Sequence, residues 1–362
     1  MGDAMVGVVA NPLSGRDIRR LVTRASVFPT AEKANMIQRM LTAFYAVGVH
    51  RVLLSTDLGG ISASVFRAIG QRRGQDGGWP EVEFLDGQPI RQTAQDTVDA
   101  VRRMVAAGVR VIICLGGDGT ARVTASAAGD VPMLALSTGT NNAFPAVREA
   151  TIAGLAAGLV ATGAVPADGV VTHAKLLEVR AGDRAETALI DVAVSTQRHV
   201  GTRAVWDPAT LTQLFCAFAE PDVIGLSSIL GQLSPVARHE PHGVTARLAP
   251  EADAQVLAPI APGLVMPVGV AEIERMLPGS VHRVDARAGV IAVDGEREIT
   301  FEPGERPTVR LRTDGPRCVD VSAVLAASAR LGLLRRPPAA PGPVPPPMTQ
   351  YQVHAPTVRR NT

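Results

Sequence analysis

The first half of the chain alternates short apolar runs with longer amphipathic stretches. Val-Gly-Val-Val-Ala at 6–10 predicts a strand that stops at Asn11-Pro12. Further aliphatic runs at 52–54, 82–85, 109–115 and 133–136 predict four more strands. Between them, helices are expected over 32–45, 63–69 and 93–107, the last with Val98, Val101, Met104 and Val105 on one face. The stretch 71–80 is polar and Gly-rich and reads as a loop. A further helix is expected over 150–161. Strands separated by helices imply a mostly parallel, Rossmann-like α/β sheet with helices on both faces. Ligands bind such sheets at the carboxyl ends of the strands. Those ends carry NPLSG at 11–15, GGDGT at 116–120 and STGTNN at 137–142.

After about residue 165 the pattern changes. Strands are expected at 175–180, 188–194, 244–248, 289–293 and 308–311, punctuated by Gly, Pro and Asp. A helix is expected around 209–219 and a final one over 321–331. This divides the chain into an α/β domain over 1–165 and a β-rich domain over 166–320. A helical segment follows over 321–335. The Pro-rich remainder, 336–362, has no core pattern and is expected to be disordered.

Composition narrows the function. The apolar fraction of 46% supplies real cores, but aromatics are only 3%, too few for the stacking platforms of single-stranded nucleic-acid binding. The net charge is +2 and no basic block occurs, so no nucleic-acid partner is expected. Lys33 and Lys175 are the only lysines. Cys114, Cys216 and Cys318 lie about a hundred residues apart, which fits neither a zinc spacing nor a disulfide framework. No apolar run reaches the roughly 20 residues that span a bilayer, and no signal peptide is visible. A cytoplasmic protein without stable membrane association is the expectation.

GGDGT carries the chemistry. Its glycines permit close backbone approach to a ligand, and successive N–H groups at a helix start can cradle a phosphate. A carboxylate inside such a loop would be repelled by phosphate unless it has work to do. Asp118 could take a proton from an attacking hydroxyl or hold Mg²⁺ against the phosphates. A tight turn in which Asp118 only caps the next helix is the plainer alternative. The chain has no G-x-x-x-x-G-K-[ST] sequence and no G-x-G-x-x-G after its first strand.

NPLSG, GGDGT and STGTNN in this order, followed by Val293-Asp294-Gly295-Glu296, resemble the superfamily that joins NAD kinases to diacylglycerol and sphingosine kinases. GRDIRRL at 15–21, EKANM at 32–36 and LSTGTNNAFP at 136–145 are most similar to the ATP-NAD kinase-like proteins related to acetoin-catabolism protein X. The resemblance implies an α/β domain, a carboxyl-terminal β-sandwich domain, a last segment that returns to the first domain, and an active site in the cleft between domains. It implies ATP and Mg²⁺ as cofactors, NAD as the acceptor, and a homo-oligomer. Carried over by position, Gly116, Gly117, Gly119 and Thr120 would hold the nucleotide, with Asn11, Ser14, Gly15, Thr138, Gly139, Thr140 and Asn141 beside it. Asp118 and Glu296 would be catalytic. Asn142 and Asp191 would face the acceptor. Positioning and charge neutralisation are most of what phosphoryl transfer requires.

Two departures bear on the acceptor. Ile190-Asp191 stands where NAD kinases carry an Asn-Glu pair, and Thr140-Asn141-Asn142 where the lipid kinases carry Gly-Asn-Asp. Asp294-Gly295-Glu296 leans to the lipid side. Three readings therefore stand: an NAD kinase, a kinase of a lipid alcohol, and a nucleotide sensor that transfers poorly and serves acetoin or diol catabolism. Lesser candidates are His199 and Arg203, Arg16 toward the ATP phosphates, and His173 and Lys175 as surface residues.

Overall fold

The computed structural model describes residues 4–15, 28–72, 78–87, 89–139, 142–197, 205 and 207–335. Five parallel strands form the first sheet: β1 (Met5–Ala10), β2 (Arg51–Ser55), β3 (Glu81–Leu85), β4 (Val111–Gly116) and β5 (Met133–Ser137). They lie in the order β3-β2-β1-β4-β5. Every residue of β1 and β4 is buried, because helices cover both faces of a parallel sheet; that is why these strands read as unbroken aliphatic runs.

The helices are α1 (Thr30–Ala46), α2 (Ile61–Arg72), α3 (Ala94–Ala106), α4 (Asp118–Ala128) and α5 (Ala150–Ala161). Small residues set how closely they pack. A Cβ on Gly154 of α5 would fall 2.9 Å from the Ala43 Cβ and 3.0 Å from the Met40 Cα of α1. The Ala/Gly face of α5 therefore lets the two helix backbones meet.

The second half is antiparallel. β6 (Val171–His173) and β18 (Arg317–Val319) extend the first sheet beyond β5, with Cys318 pairing Met133. A seven-stranded sheet holds, in spatial order, β12 (Gln255–Ala261), β13 (Leu264–Met276), β11 (Gly243–Leu248), β10 (Leu211–Cys216), β9 (Asp191–Ser195), β15 (Gly289–Val293) and β16 (Glu296–Phe301). A four-stranded sheet holds β14 (Val281–Arg283), β17 (Thr308–Arg312), β7 (Leu176–Ala181) and β8 (Arg184–Ala188). Leu177, Val179 and Leu311 of the smaller sheet share a core with Val192, Phe215 and Ile291 of the larger. The other face of the large sheet, with Ala193, Leu214 and Ala292, packs on the short helix α6 (Ser228–Gly231). Helix α7 (Val321–Leu331), capped by Asp320, returns to pack on α5. The architecture is the expected one, a parallel α/β sheet followed by an antiparallel sandwich.

Two expected elements differ. The helix expected at 209–219 is a 3-10 turn, Pro208–Thr210, followed by β10. β10 is central and has a core on each side, Phe215 facing one and Leu214 the other, so it shows no alternation and mimics a buried helix. The single strand expected at 188–194 is two. β8 ends at Ala188 and β9 starts at Asp191. Leu189-Ile190 is the step from one sheet to the other, and it matters for the site.

Candidate functional site

The loop after β1 is held from three sides. The Asn11 Oδ1 accepts the Leu13 N–H at 2.8 Å, closing an Asx turn, and its Nδ2 donates to Thr120 Oγ1 at 2.9 Å. The Ser14 hydroxyl meets the Thr138 hydroxyl at 2.8 Å. Gly15 has φ +83°, a conformation that disfavours a side chain. From beneath, the fully buried Lys33 donates to the carbonyls of Asn11 (2.8 Å), Ser14 (2.9 Å) and Pro12 (3.4 Å). Lys33 sits inside the EKANM stretch, and its scarcity in this chain was the one signal that could have singled it out.

GGDGT joins β4 to α4. A Cβ on Gly116 would collide with the Thr120 side chain. On Gly117 it would lie 2.8 Å from Asn142 Oδ1, and on Gly139 2.6 Å from Asn142 Nδ2. The Asn142 amide is thus wedged between the two glycine turns, donating to Ser137 Oγ at 2.7 Å. Gly117 is the N-cap of α4, with no side-chain cap bond. Asp118 does not serve as the cap. Its carboxylate accepts the N–H groups of Ala143 (3.1 Å) and Phe144 (2.9 Å) in the loop after β5.

The second domain contributes the β15–β16 hairpin. Asp294 and Gly295 form its two-residue turn with φ +49° and +77°, the left-handed pair that a tight hairpin requires. Asp294 points inward. Its buried carboxylate accepts the N–H groups of Leu189 (3.1 Å), Ile190 (2.8 Å) and Asp191 (3.3 Å), which fixes the step between β8 and β9. Burial pushes the Asp294 carboxyl up to about 6, against the pull of Arg122 and these N–H groups. Glu296 leans onto the first domain, its Oε1 3.4 Å from where a Cβ on Gly119 would be. Arg122, on α4, crosses the junction to Glu298 (2.9 Å), Glu186 (3.5 Å) and Asp294 (3.7 Å).

These groups surround one cleft of about 680 Å³. Asn11, Ser14, Gly15, Gly117, Asp118, Gly119, Thr120, Gly139, Asn142 and Glu296 all line it. Gly116 and Thr138 lie behind that lining as packing partners of Thr120 and Ser14. Thr140 and Asn141 fall outside the described residues, as do Arg16, His199 and Arg203. The cleft also takes in 55–59 after β2 and 92–97 at the start of α3, which sequence reasoning missed. The signals were faint: Asp57 and the Thr93–Asp96 capping box are ordinary helix starts. Gln92 and Asp294, the two non-glycine residues with left-handed backbone among those described, both border this cleft.

Three helices open on the cleft, and their N-termini differ. Asp57 accepts the N–H groups of Ile61 and Ser62 at α2. Asp96 accepts the Thr93 N–H at α3. Those two ends are neutralised by their own carboxylates. At α4 the carboxylate turns to Ala143 and Phe144, and the N-cap Gly117 has no side-chain cap bond, so this helix end borders the cleft without a capping carboxylate. Among the described lining residues, Asp57, Asp96, Asp118, Asp294, Glu296 and Glu298 stand against one guanidinium, that of Arg122. A polyphosphate would enter this cleft only with divalent cations to offset the like charge.

A second, small pocket of about 20 Å³ lies behind Asp118. Asp191 lines it together with Asp118, Ile190 and Gly295. Asp191 pairs across the sheet with Cys216, whose thiol is pushed well above its ordinary range by burial and by this carboxylate. Lys175, expected at the surface, is buried and donates to the carbonyls of Ala237 (3.0 Å) and His242 (2.6 Å). Its pKa is drawn down to about 8 by burial. It belongs to the second domain's own scaffold.

Residues 6–165 match the family described as the ATP-NAD kinase N-terminal domain, and residues 175–314 match the acetoin catabolism protein X C-terminal domain. Acetoin catabolism protein X of Cupriavidus necator is 43% identical over 341 residues, covering 92% of this chain and 95% of that one. Among solved structures, yeast NADH kinase complexed with NADH superimposes with a TM-score of 0.50 at 15% identity, over 90% of this chain and 86% of that one. No described helix is long and apolar enough to cross a membrane.

Proposed function

The chain belongs to the family of acetoin catabolism protein X, and from that premise we propose that this phosphotransferase moves the terminal phosphoryl group of ATP to the 2′-hydroxyl of NAD. The observation that carries the reading is the place of Asp118. Its carboxylate stands between the large cleft and the small pocket that Asp191 shares. The N-terminus of α4 and the 11–15 loop suit the donor phosphates. Asp118 receives the proton of the attacking hydroxyl, with Glu296 beside it over Gly119. The acidic cleft fits a nucleotide that brings Mg²⁺. Such an ion would spread the charge that develops on the transferred group. Among the described residues no three ligating side chains converge; a Mg²⁺ carried in with a nucleotide would take phosphate oxygens as ligands.

One observation favours a second reading. Ile190, at the place of an acceptor-binding Asn, is 1% exposed and offers no polar group to a nucleoside. A nucleotide sensor with slow transfer is consistent with that exchange. A single assay separates the two. Purified protein is incubated with ATP, Mg²⁺ and NAD, and NADP is read by an NADP-specific dehydrogenase. Multiple turnovers that vanish in Asp118→Asn support the kinase. Binding of ATP without turnover supports the sensor.

A further inference from the structure

Resting on that reading of Asp118, we propose that Arg238 is a positioning residue for it, acting across the domain junction through the Ala143-Phe144 segment. The Asp118 carboxylate is fixed by the N–H groups of Ala143 and Phe144. The carbonyls of the same two residues accept from Arg238, Phe144 O from Nη1 at 2.8 Å and Ala143 O from Nη2. One face of this short segment thus grips the carboxylate, and the other is gripped by a guanidinium fork from the second domain. The planar fork presents two parallel donors, which a lysine ammonium does not. The peptide group between Ala143 and Phe144 carries one bond of each set, and polarisation through it lets those two bonds reinforce each other.

Arg238 is itself held in place. Its Nε meets Glu220 Oε2 at 2.9 Å, and its backbone N–H donates to Glu220 Oε1 at 3.2 Å. The guanidinium lies 4.4 Å from the Phe218 ring centroid. Lys175 pins the preceding carbonyl, Ala237. All of these belong to the second domain, whereas Asp118 and the 143–144 segment belong to the first. Ala143 also borders the small pocket behind Asp118. The clamp therefore ties the carboxylate's aim to the docking of the two domains. A misplacement of about 1 Å at such a group costs on the order of 100-fold in rate.

The test uses full-length protein and two readouts. In the first, turnover is compared for wild type, Arg238→Ala, Arg238→Lys, Asp118→Asn and the Arg238→Ala/Asp118→Asn double variant. Arg238→Ala is expected to lower kcat by about 10- to 100-fold, with KM for ATP within about twofold and the melting temperature close to wild type. Arg238→Lys recovers little of this. In the Asp118→Asn background, Arg238→Ala costs nothing further, because residues that act as one unit are not additive. An equal, multiplicative loss in both backgrounds overturns the proposal. The second readout needs no turnover: the amide ¹H–¹⁵N signals of Ala143 and Phe144 shift in Arg238→Ala and in Asp118→Asn alike. Amide signals that stay in place in Arg238→Ala overturn the clamp even where Asp118→Asn is too slow to assay. A wild type that makes no NADP removes the reading of function, and the amide signals then judge the clamp alone.

Discussion

The Lys33 ammonium lies 2.8 Å from the carbonyl oxygen of Asn11, with no exposure to solvent. It ties α1 to the loop after β1, where a buried cation is stable only because carbonyl oxygens surround it. Lys33→Met keeps the length and apolar stem but removes every donor. The variant is expected to lose about 2–4 kcal/mol of stability, since the Pro12 and Ser14 carbonyls lose the ammonium and the Asn11 carbonyl keeps only the Ser14 hydroxyl. ATP affinity falls with it, because the loop that carries Asn11 and Ser14 loses its support. Urea unfolding and an ATP titration check both; an unchanged midpoint would sink the structural role.

Gly119 and Gly139 separate binding from folding. A Cβ on Gly139 would press into the Asn142 amide at 2.6 Å, so Gly139→Ala must displace a wedged side chain and is expected to cost about 1–3 kcal/mol. At Gly119 the nearest atom is Glu296 Oε1 at 3.4 Å, an ordinary contact. Gly119 also lies inside α4, where alanine favours the helix by about 1 kcal/mol. Gly119→Ala is expected to melt no lower than wild type yet to raise KM for ATP about tenfold or more, because the new methyl occupies the cleft. A melting scan beside donor kinetics distinguishes them. If Gly119→Ala keeps its KM, the donor phosphates do not approach this turn.

Much of this was legible in the sequence, and the reason differs by element. β1, β4 and α5 were readable because burial on both faces, or a continuous small-residue run, leaves its mark on every position. NPLSG and GGDGT were readable because a close ligand approach demands glycine and small polar residues locally. β10 was not, because a central strand with a core on each side carries no period. Lys33, Arg122 and Arg238 were not, because each acts on residues far along the chain. The nearest contact of Arg238 in the first domain is 94 residues away. Even Asp294, quoted within a motif, hid its job: only the structure reveals that it caps the step at Leu189-Ile190.

Asp294 gives a prediction in pH. Its folded-state pKa is raised from 3.8 to about 6, chiefly by burial. A raised pKa means that the folded protein takes up this proton before the unfolded chain does. The contribution to stability is fully present below about 3.8 and is lost as pH rises through about 6. Its size is about 3 kcal/mol, from roughly two pKa units at about 1.4 kcal/mol each. Glu32, Glu149 and Glu178 are lowered and work in the opposite sense. Asp294→Asn removes the compensating proton. Its stability should fall more steeply than that of wild type between pH 6 and 4. Parallel curves from denaturant titrations at each pH would contradict the assignment.

Asp191 tests where the acceptor sits. It starts β9, is nearly fully buried, and shares with Asp118 the small pocket, which the 11–15 loop does not line. The Asp294 cap on its own N–H keeps its backbone in place whatever its side chain. Asp191→Asn keeps the shape and removes the charge. If the carboxylate accepts hydroxyl protons of the acceptor, KM for NAD rises about tenfold or more, the range of a lost charged hydrogen bond. KM for ATP is expected to stay where it was if the donor occupies the larger cleft, as proposed. Steady-state kinetics with each substrate varied in turn reads the two constants separately. A rise in KM for ATP instead would move Asp191 to the donor side. A variant indistinguishable from wild type in both would leave the small pocket without a role in binding and direct the acceptor to the large cleft.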